Sequence, residues 1–136
     1  MTAAALAQTH AAAFADTRPW SEDEFANLLD QTGVILCGDA KSFVLGRVIG
    51  DEAEVLTLAT HPDLTRQGLA QIQLDAFLSA AHLRGALWVF LEVAEDNVAA
   101  KSLYFKNKFH ASGHRPAYYR RGDGTKVGAD VLRRAL

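Results

Sequence analysis

Two residues in the stretch WVFLEVAEDNVAAKSLYFKNKF, residues 88–109, carry groups of the kind that move protons in catalysis. Glu92 closes an apolar run, and Tyr104 lies twelve positions further on in an alanine-rich segment. A carboxylate after an interior run is costly unless it is hydrogen-bonded, solvated at the strand edge or functional. Tyr104 also reads as a core tyrosine with its hydroxyl satisfied at the rim. The segment ends in Asn107-Lys108, where a glycine is the ordinary helix terminator. A second cluster suits an anion. In LTLATHPDLTRQGLAQ a β-type run ends, a loop turns, and Arg66-Gln67-Gly68-Leu69-Ala70 opens a helix. The first N–H groups of a helix lack intrahelical partners and lie at the positive end of its dipole. Gly68 and Ala70 carry little or no side chain, so a diphosphate can approach the backbone, and Arg66 adds charge. Taken alone, the pattern also fits an ordinary helix start.

The elements that must hold these groups are legible from periodicity. Residues 3–15 are strong helix formers, with Leu6 and Phe14 as the large apolar groups. Thr17-Arg18-Pro19-Trp20 breaks that helix. Ser21 with Glu24 forms a capping-box pattern, and Phe25, Leu28 and Leu29 give the next helix an apolar face that stops near Gly33. Residues 34–37, 42–49 and 54–60 read as an antiparallel meander, with turns at 38–41 and 50–52. After Gly68, the positions Ala70, Leu74, Phe77, Leu78 and Ala81 form one stripe of a helix reaching about Arg84. Residues 86–93 are almost wholly apolar, which predicts a central strand buried on both faces. A helix over about 97–106 and strands at roughly 109–118 and 128–135 complete the chain. The order α-α-β-β-β-α-β-α-β-β predicts a mixed α/β (α+β) fold, with residues 1–136 as a single domain.

Composition excludes several functions. The chain has 136 residues and a formal charge of −2, from 16 acids and 14 bases. That balance argues against a nucleic-acid partner. Arg115, Arg120, Arg121, Lys126, Arg133 and Arg134 cluster late and read first as solvated surface. The one cysteine, Cys37, excludes an internal disulfide, fits a reducing cytoplasm, and in VILC reads as a small buried hydrophobe rather than a nucleophile. No run approaches the roughly 20 apolar residues of a membrane span, and the N-terminus lacks the basic flank of a signal peptide. The histidines have no metal-ligand spacing, so no metal is expected. His10 and His82 read as surface or rim residues, and His61, His110 and His114 lie nearer the anion loop and Tyr104 stretches.

Three stretches together resemble the GNAT superfamily of acetyl-CoA-dependent N-acetyltransferases, and within it the RimI-like branch that acetylates alanine N-termini of ribosomal proteins. They are PWSEDEF (residues 19–25), LTLATHPDLTRQGLA (56–70) and LEVAEDNVAAKSLYFKNKF (91–109), with a looser likeness through AYYRRGDG and Asp130. The resemblance covers about residues 10–136. It implies that the backbone of Leu58, Ala59 and Thr60 bonds the pantetheine arm of acetyl-CoA like an added strand. It implies that Arg66, Gln67, Gly68, Leu69 and Ala70 cradle the pyrophosphate and that Asn97 meets the cofactor. Glu92 would be the general base and Tyr104 the general acid. The implied partner is a peptide or protein N-terminus, such as a ribosomal protein, lying between the Trp20 loop and a hairpin carrying Tyr118 and Tyr119. The active unit would be a monomer or homodimer.

The chain departs from the family pattern at Thr65, where Gln or Arg is usual, and at Lys108, where Gly is usual. If position 108 keeps a positive φ, lysine there costs about 1 kcal/mol, and Asn107 is an alternative holder of that conformation. The family's first strand is missing or very short, which would leave an exposed sheet edge. Two other functions fit the same residues: acetyl transfer to a small-molecule amine or a lysine, and an acyl-CoA-binding module without turnover.

Overall fold

A computed structural model describes residues 2–14 and 18–136. Helices α1 (Ala3–Ala13) and α2 (Glu22–Leu29) precede the meander β1 (Val34–Asp39), β2 (Ser42–Ile49) and β3 (Glu52–Thr60). A 3-10 turn at Pro62–Leu64 leads into α3 (Leu69–Leu83), followed by β4 (Trp88–Ala94), α4 (Val98–Lys106), β5 (His110–Arg120) and β6 (Lys126–Ala135). The expected order of elements forms. Strands β5 and β6 each run about two residues past the expected bounds, because their hairpin pairs almost to its tip at Arg120 and Lys126. The end expected for the first helix, and Thr17 of the segment expected to break it, lie outside the described residues. The Ser21/Glu24 capping box closes in both directions, each bond at 3.2 Å.

The six strands lie in the order β1-β2-β3-β4-β6-β5. All neighbours are antiparallel except β3 and β4. That parallel pairing is short: it joins Glu52–Val55 to Trp88–Leu91 and then stops. The cause is visible on the other side of β3. Leu45 pairs with Thr57 and Gly46 with Val55, which leaves Leu56 as an extra residue. A bulge of this kind bends its strand and sharpens the local twist. Beyond Leu56, β3 stays with β2 and parts from β4, so the sheet opens into a wedge. Among the described residues β1 pairs with β2 alone and forms one edge of the sheet.

Helices cover both faces. The α3 stripe, Leu74, Phe77, Leu78 and Ala81, is buried with Val44, Val55, Val89, Leu91, Tyr104 and Leu132. Full burial of each large apolar side chain contributes about 1.5–3 kcal/mol. Phe77 lies so close to β2 that a Cβ on Gly46 would sit 2.3 Å from its ring. On the opposite face Leu6 and Phe25, from α1 and α2, bury Phe43, Leu45 and Ala59. These short helices lie over β1 to β3 and do not reach across β4. The expectation that β4 is buried on both faces is therefore corrected. Val89, Leu91 and Val93 are buried under the α3 side, whereas Trp88, Phe90 and Glu92 are only partly covered. Trp88 is shielded instead by the Arg133 guanidinium, 5.0 Å above its ring.

His10 also departs from expectation. It is not a surface residue but 4% exposed, ringed by Phe14, Trp20 and Phe25 at centroid distances of 4.6, 5.1 and 5.6 Å. Its Nδ1 accepts the Trp20 N–H at 3.2 Å, which ties the chain before α2 to α1. Burial pushes its pKa down from 6.5 to about 4, against a smaller raising effect from Glu24, with Arg18 lowering it slightly. The unfolded chain therefore binds this proton more readily than the folded one. The stabilisation is complete above pH 6.5 and is lost as pH falls towards 4. The expected loss is about 3 kcal/mol at 1.36 kcal/mol per unit. Urea midpoints measured from pH 7 to pH 4 should show that slope, and His10→Phe should flatten it.

Candidate active site

The loop before α3 is an open row of donors. Arg66 and Gly68 both take left-handed backbone conformations, with φ of 63° and 77°. Among the described residues no N–H from Arg66 to Ala70 finds an acceptor. The loop entrance is pinned by the Thr65 hydroxyl, which donates to the Pro62 carbonyl at 3.1 Å, and by the Asp63 N–H, which donates to His61 Nδ1 at 3.2 Å. Thr65 thus acts as a loop clamp. A Cβ on Gly68 would meet nothing within 4 Å, so glycine is required here by its φ and not by crowding. Free N–H groups at the head of a 15-residue helix fit a diphosphate.

The wedge offers a second set of free groups. Leu58, Ala59 and Thr60 pair with Val44, Phe43 and Ser42 on one side. On the β4 side their edge is unpaired, because the parallel ladder ended at Val55. An extended, amide-bearing chain can bond such an edge as a strand would. The residues therefore fit acetyl-CoA in both of its backbone-binding parts.

Glu92 and Tyr104 stand on opposite faces of the sheet beside this wedge. Glu92 alternates with buried Leu91 and Val93 and so lies on the partly open face, where its carboxylate meets Arg115 Nη2 at 3.0 Å. Arg115 comes from β5, whose register shifts between Arg115 and Tyr119, with Ala117 at a φ of 52°. Bulges re-aim side chains, and here Arg115, Tyr118 and Tyr119 gather together. Arg115 lies 5.3 Å from the Tyr118 ring, and the two tyrosine rings meet edge-on at 5.0 Å. Tyr104 is buried among the α3-side apolar groups, edge-on to Phe109 at 5.5 Å. Its hydroxyl finds no partner among the described residues. Burial, and secondarily Tyr119, raises its pKa well above that of an ordinary phenol. Tyr119 is itself raised by burial, then by Glu92 and Tyr118. Tyr119 therefore feels both proton-transfer candidates.

The other expected residues fall into place unevenly. The Asn97 side-chain oxygen accepts the Ala100 N–H at 3.2 Å, so the residue caps α4. Trp20 stacks on His10 and also lines an open cavity with Glu24, Asn27, Leu28 and the bulge residue Leu56, on the face that carries Glu92. Tyr118 is half exposed. Three of the late arginines are engaged: Arg121 pairs with Asp96, Arg133 covers Trp88, and Arg134 donates to the Asn107 carbonyl. His114 lies between Asp130 at 2.9 Å and Glu95 at 3.6 Å. Lys101, at 2.7 Å, and His114 hold the Asp130 carboxyl below the usual range. Among the described residues no side-chain group is arranged to hold a metal, and no helix is long and apolar enough to cross a membrane. Lys108, not Asn107, has the unusual backbone, with φ of 70°. Gln71 was not singled out in the sequence, yet it bonds Asn107 from the first turn of α3.

A donor row at the head of α3, an open strand edge and a wedge between parallel strands together suit an acyl-CoA-dependent transferase. The chain belongs to the acetyltransferase (GNAT) family, which its sequence matches over residues 5–109. Members of this family use acetyl-CoA. The chain is 33% identical over 110 residues to the [ribosomal protein bS18]-alanine N-acetyltransferase of Escherichia coli K12, covering 78% of this chain and 74% of that protein. The solved structure of the ribosomal-protein-S18-alanine N-acetyltransferase from Escherichia coli superposes with a TM-score of 0.89 at 29% identity, covering 98% of this chain and 87% of that one. Arabidopsis thaliana NAA60, solved in complex with acetyl-CoA, shares the fold with a TM-score of 0.81 at 16% identity, covering 96% and 91% of the two chains.

Proposed function

We propose that this chain transfers acetyl from acetyl-CoA to the N-terminal α-amine of a protein, with an alanine-initiated ribosomal protein as the acceptor, Glu92 as general base and Tyr104 as general acid. The observation that carries this reading is the wedge with Glu92 and Tyr104 on its two faces. The thioester supplies the acetyl group. An α-amine with a pKa near 7.7–8.0 is mostly protonated at neutral pH and cannot attack. Glu92 removes that proton, directly or through water. Arg115 holds the same carboxylate, so an incoming ammonium competes with a guanidinium for it. A free N–H near Leu58 or Ala59 would donate to the carbonyl oxygen as charge develops there. Tyr104, still protonated, would deliver its proton to the departing sulfur. Trp20, Leu56, Tyr118 and Tyr119 would wall the acceptor on the Glu92 side.

The test is thiol release from acetyl-CoA with three acceptors: an alanine-initiated peptide, an N-blocked peptide bearing lysine, and small amines. Faster turnover on the free alanine terminus is expected. Turnover confined to lysine or small amines would overturn the acceptor, and acetyl-CoA binding without release on any amine would point to a non-catalytic module.

A further inference from the structure

Asn107 and Gln71 exchange two hydrogen bonds between the end of α4 and the head of α3. Gln71 Nε2 donates to Asn107 Oδ1 at 2.7 Å, and Asn107 Nδ2 returns the bond to Gln71 Oε1 at 2.8 Å. Each amide is also anchored to its own helix. Gln71 donates to Asp75 at 2.9 Å, and Asn107 Nδ2 donates to the Leu103 carbonyl at 2.7 Å. Arg134 from β6 donates to the Asn107 carbonyl at 2.9 Å. Every polar atom of the pair is engaged, as a positioned contact requires.

The place of this bridge gives it significance. Helix α3 follows β3 and α4 follows β4, so the two helices belong to the two halves of the sheet that part beyond Val55 and Leu91. Their backbones do not pack closely against each other. Gln71 comes one residue after the Arg66–Ala70 donor row, and Asn107 comes three after Tyr104. The Tyr104 carbonyl accepts the Asn107 N–H at 3.0 Å and the Phe109 N–H at 3.1 Å. Lys108, with its positive φ, turns the chain so that Phe109 enters the core against the Tyr104 ring. The turn holding Asn107 is thus built on Tyr104 itself.

We infer that the Gln71–Asn107 pair is a cross-brace that sets the distance between the diphosphate cradle and the Tyr104 hydroxyl. Both are positioning residues. Without the brace the head of α3 and the end of α4 are joined only by apolar packing and the sheet below, and bound acetyl-CoA would be held at one end while its sulfur drifts from the proton donor. Pre-organised walls improve both affinity and alignment. The kinetic half of this inference rests on Tyr104 as the acid; the affinity half does not.

The experiment uses Gln71→Leu, Asn107→Leu, the double variant, and the exchange Gln71→Asn with Asn107→Gln. Calorimetry with CoA alone measures affinity without an acceptor, and steady-state assays separate kcat from the KM of each substrate. Each single variant is expected to weaken CoA binding and to lower kcat, each about 10-fold, or about 1.4 kcal/mol per effect. The double variant should be no worse than either single, because one interaction is lost in all three. The exchange should recover most of both losses, and acceptor KM should stay unchanged. Unchanged CoA affinity with only a lowered melting temperature would overturn the brace, as would additive losses or an exchange no better than the double variant. Gln71→Leu, on a helix surface, gives the affinity result even if Asn107→Leu does not fold. Weaker CoA binding in these variants alongside a fully active Tyr104→Phe would keep the brace and remove the acid.

Discussion

Glu92→Gln is expected to lower kcat by about 100- to 10,000-fold at pH 7. The deficit should shrink as pH rises past 8, where the α-amine loses its proton without help. The substitution is conservative in shape. An amide oxygen at the same place can still accept from Arg115, which lies 3.0 Å from the carboxylate. The partly open face of β4 tolerates the neutral group. Melting temperature and CoA affinity should therefore stay close to those of the parent. The decisive measurement is the pH dependence of kcat/KM for both proteins on one alanine-initiated peptide. Equal rates at pH 7, or a deficit constant from pH 7 to pH 10, would remove Glu92 from the base role.

Tyr104→Phe is expected to lower kcat by about 100-fold with the Kd for acetyl-CoA within about two-fold of the parent. Its fold should survive, because the hydroxyl has no partner among the described residues and removing it strands no buried group. The ring keeps its edge-on contact with Phe109. Its pH signature differs from that of Glu92→Gln. Burial raises the phenol pKa, so the proton is held across the neutral and mildly alkaline range, and the deficit should not shrink with pH. It should shrink instead with acetyl donors whose leaving thiol is more acidic, since such a sulfur needs less help to depart. Parental turnover on acetyl-CoA in the Tyr104→Phe variant would end the acid assignment.

Local rules carried much of the architecture. The α3 stripe, the Ser21 box and the glycine turns could each be read from a few neighbouring residues. Features set by distant partners could not. The extra residue Leu56 lies in Val55-Leu56-Thr57, where nothing in composition breaks the alternation. The bulge exists only in the register with Leu45 and Gly46. Strand β4 read as doubly buried because Trp88 and Phe90 are as apolar as Val89 and Leu91. How far α1 and α2 reach over the sheet is not written in β4. His10 gave little sign of burial, since two of the three rings around it, Trp20 and Phe25, come from later segments. Asn107 was visible as an odd helix end, but its partner Gln71 is 36 residues away. For the site, residue types and order pointed to Glu92 and Tyr104, whereas Arg115 reaches Glu92 only through the irregular pairing of β5.

The short parallel ladder has a consequence for solubility. Unpaired strand edges are where proteins aggregate, because a foreign strand can continue the ladder. At the rim of the sheet, β1 offers such an edge over the six residues Val34–Asp39. The edge opened on β3 beyond Leu56 has the same chemistry but a different address. It faces inward towards β4, in the middle of the sheet, with α3 packed beside it. The edge strand of another folded sheet would have to enter between the two halves of this one to reach it. Opening the ladder at its centre thus makes unpaired backbone available to an extended small molecule while keeping it away from the rim, where the edges of other sheets meet.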